Sequence, residues 1–139
     1  MKKKIFSLLL LTFTITLTSC SKVTQKDLIL LNGTWEIHEV QSHGEIFNPK
    51  GGTILVDFYK IDATLGYRKK LTPNFGTNYS SSEDRFDFTI KQIDGDFFLS
   101  YDKALKPWKE KIIEISENYL ELEHSGKTYR YKRHEKISL

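Results

Sequence analysis

A single cysteine, Cys20, in 139 residues excludes an internal disulfide framework. Any exported domain must then be held together by hydrophobic packing. The four histidines, His38, His43, His124 and His134, stand in no metal-ligand spacing; His38 and His43 are not a dependable chelating pair. No nucleophile elbow marks a Ser/His/Asp site. Gly51-Gly52 lacks the lysine and following helix of a phosphate loop. One-sided charge is missing too. There are 21 Lys and Arg against 18 Asp and Glu, but Lys2, Lys3 and Lys4 belong to an N-terminal segment unlike the rest. Without them the balance is 18 against 18, so nucleic-acid binding has no charge surplus to rest on. No cofactor or metal is expected.

What is present begins with MKKKIFSLLLLTFTITLTSC, residues 1–20. Three lysines precede an apolar run from Ile5 to Leu17, too short for a permanent span of about 20 apolar residues. The pattern is that of a secretory signal peptide over residues 1–19. Leu17-Thr18-Ser19-Cys20 resembles the lipobox of bacterial lipoproteins, in which the cysteine is acylated and becomes the first mature residue. The resemblance implies a lipid anchor at Cys20, membrane attachment through it and location in the cell envelope. Ser21 rather than Asp at the next position points to sorting toward the outer membrane. Residues 20–29 read as the lipidated cysteine and a polar tether. About 110 residues, 30–139, then form one domain.

That domain alternates apolar and polar residues at period two, the signature of half-buried strands. Trp35 and Ile37 share a face in TWEIHEV, with Val40 out of phase. In TILVDFYK, Ile54, Val56 and Phe58 are expected inward and Asp57 outward. TLGYRKK is a weaker strand, and residues 71–84 read as a long exposed loop. RFDFTIKQ and DFFLSYD flank Asp94-Gly95, a hairpin turn signal. EKIIEIS, YLELEH and KTYRYKR complete the series, the last two joined at Ser125-Gly126. About eight strands in short hairpins, with no convincing helix, predict an all-β, antiparallel up-and-down barrel. A two-layer meander sandwich is the alternative.

LNGTWEIHEV resembles the Gly-x-Trp opening strand of the lipocalin superfamily. KIIEISENYLELEHSGKTYRYKR is similar to the last three strands of lipocalin-like domains in Bacteroidetes lipoproteins. The resemblance covers residues 30–133 and implies a lipocalin-like, calycin-type barrel. It also implies that Trp35 packs at the closed end, with Arg133 or Arg130 of the last strand over its ring.

Phe58, Phe86, Phe88, Phe97, Tyr101, Tyr129 and Tyr131 are all expected inward. They either wall a ligand pocket or fill the interior, because eight-stranded barrels are only just wide enough for their own side chains or one small ligand. If a pocket exists, Phe88, Phe97, Leu99, Tyr101 and Tyr131 are its expected wall at the open end, with Phe75 and Tyr79 of the 71–84 loop as a lid. An enzyme needs a polar constellation inside the barrel, and alternation places Asp57, Asp87, Glu121 and Glu123 outside. The expectation is a non-enzymatic protein that binds a small hydrophobic molecule. The alternative is an envelope interaction or inhibitor module with a filled barrel, partnered by another envelope protein.

Overall fold

A computed structural model describes residues 22–49, 56–73 and 79–134. The signal segment 1–19, Cys20, Ile54 and Phe75 lie outside the described residues, and Tyr79 enters only as the first residue of a strand. A 3-10 turn at Asp27–Leu31 precedes β1 (Gly33–Ser42), β2 (Glu45–Phe47), β3 (Val56–Asp62) and β4 (Leu65–Pro73). Then follow β5 (Tyr79–Ile93), β6 (Asp96–Tyr101), β7 (Trp108–Ile115), β8 (Tyr119–His124) and β9 (Lys127–Arg133).

Each strand from β3 to β9 is antiparallel to its sequence neighbour, β3 pairs with β1, and β9 returns to β1. The returning ladder runs from Trp35↔Arg133 to Ser42↔Lys127, with a register shift between Ile37 and Glu39. It closes eight strands into an up-and-down barrel and excludes the sandwich. Among the described residues β2 pairs with Val40–Ser42 alone, along the same edge of β1 that pairs with β3 at Gly33–Glu36. On the outer face the closing seam is fastened by Arg130, which donates to Glu39, to Gln41 Oε1 (3.1 Å) and to Glu121 Oε2 (3.2 Å).

Three turns carry the positive φ at both central residues that a type I′ hairpin requires: His43-Gly44, Asp94-Gly95 and Ser125-Gly126. Antiparallel order sorts the connections to two ends. The 3-10 turn and the turns at 63–64, 94–95 and 116–118 share one end; those at 43–44, 102–107 and 125–126 share the other.

Three expectations change. The loop expected over 71–84 is strand at both of its ends: β4 runs to Pro73 and β5 starts at Tyr79, paired as Leu71↔Ser81 and Pro73↔Tyr79, while 74–78 lie outside the described residues. Polar composition hid a strand extension held by backbone pairing. On β3 the inward set is Asp57, Tyr59 and Ile61, whereas Phe58 is half-buried on the outer face, its ring centroid 6.1 Å from that of Tyr67. A one-residue change of phase moves every side chain to the other face. Here the burial of Tyr59 and Ile61 decides it and carries Asp57 inside. The folded unit also starts before residue 30. Leu28 and Leu31 of the 3-10 turn are buried in the core, and Val23 packs against it.

Candidate functional site

The closed end is built around Trp35, which is fully buried. Its indole Nε1 donates to Leu31 O at 2.9 Å, and the Arg133 guanidinium lies 3.7 Å from the ring centroid. Arg133 also donates to Leu30 O, Asn32 O and Glu117 O, each at 2.8 Å. One side chain thus satisfies carbonyls at the end of the 3-10 turn, where no helical partner exists, and covers the tryptophan by a cation–π contact. Gly33, with φ +122°, leaves the room this needs, since a Cβ there would sit 2.7 Å from Arg133 Nη1. Arg130, the other candidate for this place, belongs to the outer seam.

Toward the other end the interior is polar. Arg68 Nη1 donates to Glu110 Oε1 (3.2 Å) and to Tyr59 OH (3.4 Å), and Tyr101 OH donates to Glu110 Oε2 (3.0 Å). Lys70 Nζ lies 2.6 Å from Asp57 Oδ1. The Arg68 and Glu110 side chains are only 11% and 10% exposed, and Asp57 is 2% exposed. Register explains the cluster: Tyr59 faces Arg68 and Asp57 faces Lys70 across β3–β4, while Glu110 faces Leu99 across β6–β7. Burial opposes the Arg68 charge, but Tyr59, Tyr101 and Glu110 outweigh it and hold the guanidinium protonated. Burial pushes the Tyr59 and Tyr101 phenols well up, so both stay protonated.

Two buried atoms of this cluster, Asp57 Oδ2 and Arg68 Nε, have no hydrogen-bond partner among the described residues. Buried polar atoms are nearly always paired, so each such exception calls for an explanation. Aromatic rings flank the cluster. Arg68 lies 5.3 Å from the Tyr101 ring centroid and 5.7 Å from that of Phe86, and Trp108 stacks on Tyr101 at 4.2 Å. Phe86 and Trp108 are half-buried, as is Tyr129.

The expected pocket wall is core instead. Phe88, Phe97, Leu99, Tyr101 and Tyr131 are each at most 3% exposed and pack with Leu120, Leu122 and Ile112. Their volume fills a barrel of this strand number. A cavity of about 440 Å³ opens to solvent across β3–β6. Of the expected wall only Phe88 reaches it, beside Gly66, where a Cβ would lie 2.6 Å from the Phe88 ring. Among the described residues no group of three His, Asp or Glu side chains is placed to hold a metal.

Sequence alternation hides this polar interior, because it puts Asp57 at the surface and does not single out Arg68, Lys70 or Glu110. Parity held the signal. Glu110 lies between Trp108 and Ile112 on one face of β7, and Asp57 shares the face of Tyr59 and Ile61 on β3.

No family model and no curated protein matches the chain. Two solved structures are similar to it. One is a lipocalin-like protein from Bacteroides uniformis, 13% identical, spanning 76% of this chain and 99% of that one, with a TM-score of 0.45. The other is an uncharacterized protein from Bacteroides eggerthii, 14% identical, spanning 75% and 99%, with a TM-score of 0.47.

Proposed function

We propose that this chain is a lipid-anchored protein of the bacterial cell envelope, sorted to the outer membrane through acylated Cys20. Its barrel is a non-enzymatic module that binds a small molecule with an apolar body and a neutral hydrogen-bonding head. The observation that carries this reading is the cluster of buried Arg68, Glu110 and Asp57, edged by partly exposed Lys70, with one unpaired donor and one unpaired acceptor. The two cations and two carboxylates balance, so a charged guest would bring an uncompensated charge into a site that pays heavily for one. A hydroxyl or amide head supplies an acceptor for Arg68 Nε and a donor for Asp57 Oδ2. Half-buried Phe86, Trp108 and Tyr129 offer the guest's apolar body a rim. General acid–base work needs a group that exchanges protons near neutral pH. Here the guanidinium and both phenols are held in their protonated forms.

Mass spectrometry of material released from gently purified full chain tests the carrier. A co-purifying neutral amphiphile is expected, and its addition to stripped protein should change Trp108 fluorescence in a Trp35→Phe background. A stripped protein whose Trp108 signal answers no neutral amphiphile overturns the reading. Cys20→Ala tests the anchor: loss of processing and of membrane partition is expected, while cleavage after Ser19 with membrane recovery overturns it.

A second reading, an interaction module, is favoured by β2. Ile46 and Phe47 are 58% and 65% exposed on a strand whose only pairing among the described residues is with β1.

A further inference from the structure

We infer that the closed, Trp35 end of the barrel is the face that meets the membrane, so that the polar interior opens away from the bilayer. The inference rests on the lipidated-Cys20 reading, and what carries it is the shortness of the chain between that cysteine and the first fixed residues. Val23 packs against the core, and Thr24 N and Oγ1 donate to Asp27 Oδ2 at 2.8 and 2.7 Å. Lys22 stands over the 94–95 turn, its Nζ 3.9 Å from Asp96 Oδ1 and 2.7 Å from where a Gly95 Cβ would lie. Only two residue steps separate Cys20 from Lys22, a reach of roughly 7 Å at full extension.

Reach decides the orientation. A barrel strand of eight residues, tilted about 40°, stands roughly 20 Å tall. An anchor with a third of that reach cannot pass round the wall to the other end. A ten-residue Gly/Ser tether, by contrast, would span about 17 Å on average and leave the domain free to turn.

The surface of this end agrees. Ile29 in the 3-10 turn, Leu65 after the 63–64 turn and Ile93 before the 94–95 turn are exposed apolar side chains ringing the closed end. The charges beside them are mixed, with Lys22 and Lys26 against Asp27, Asp94 and Asp96. Attraction to anionic lipid is therefore not the holding force. The anchor sets the face, and the isoleucines and leucine lie against the headgroup boundary, where apolar side chains bury area.

The test uses the full, acylated chain in vesicles of phosphatidylcholine and phosphatidylglycerol, some carrying a headgroup nitroxide. The Cys20 sulfur is taken up in its thioether, so Ile29→Cys or Leu105→Cys supplies one free thiol for a fluorophore. Several-fold stronger quenching at position 29 than at position 105 is expected. Equal quenching, or the reverse, overturns the orientation. Inserting ten Gly/Ser residues between Ser21 and Lys22 should erase the contrast; a contrast that survives overturns the short anchor as its cause. The mass of the N-terminal peptide separates the two claims. An acylated peptide without contrast sinks the orientation alone, and an unacylated one sinks the anchor with it.

Discussion

At the closed end of the barrel an aromatic ring is sealed by a cation, whereas toward the mouth a cation is enclosed by aromatic rings. Arg133 covers Trp35 from the rim, is partly exposed, and spends its donors on backbone carbonyls that have no helical partner. Arg68 lies inside, answers a carboxylate, and keeps an unpartnered Nε. The first arrangement stabilises because it satisfies groups that folding leaves open. The second gives up solvation for three charges, those of Arg68, Glu110 and Asp57, and buried ion pairs of this kind often add nothing to stability over apolar residues of similar volume. An interior built for stability alone would not contain it. The proposed binding site at the mouth rests on that contrast.

The largest expected effect lies at the sealed end. Trp35→Ala should lose about 3–5 kcal/mol, as truncation of large buried aromatics does, read as a lower urea midpoint with an unchanged slope. A loss under about 1 kcal/mol would break the comparison, because Trp35 would then not be what the closed end is built on. Next is Glu110→Leu, which strands the Arg68 charge and should cost about 3 kcal/mol. Adding Arg68→Met should restore most of that stability. If the double variant stays as unstable as the single one, the pair is structural and the two ends do not differ in purpose.

Gly66→Ala sharpens the boundary between the ends. Its Cβ would meet the Phe88 ring at 2.6 Å and Lys60 O at 2.8 Å. Overpacking of this kind costs about 1–3 kcal/mol, measured by thermal unfolding; a neutral result would mean that Phe88 has room to withdraw. The smallest effect is on pH. A hydrogen bond from Thr24 lowers the Asp27 pKa, and one from Lys111 lowers that of Asp96, both at the closed end. Folded values below the unfolded ones stabilise above the ordinary aspartate value of about 3.9 and lose that stabilisation as pH falls through the folded values. The Tm should therefore drop modestly below about pH 4, and less so in Asp96→Asn.

Much of the barrel is legible residue by residue. Asp94-Gly95 and Ser125-Gly126 announce their turns because few residues accept positive φ. Phe86, Phe88 and Ile90 announce an inward face by clean alternation. Within 71–84 the serines mislead, because Ser80 and Ser81 look like loop residues by composition yet lie on a strand paired with Thr72 and Leu71. Asp57 misleads because DFYKID contains apolar residues at both parities, Phe58 on one and Tyr59 with Ile61 on the other.

The order of amino acids by itself determines a run of antiparallel hairpins and Trp35 on the first strand. Both rest on local chemistry: φ-permissive turns and period-two alternation. Only the tertiary structure decides which parity of β3 and β4 faces inward, because that choice depends on β1, β6 and β7 closing around them. Closure brings Asp57, Arg68 and Lys70 of the β3–β4 hairpin together with Glu110 of β7. No window of sequence contains that meeting, since the residues that neutralise one another are as far apart as Arg68 and Glu110 and become neighbours only when the sheet closes.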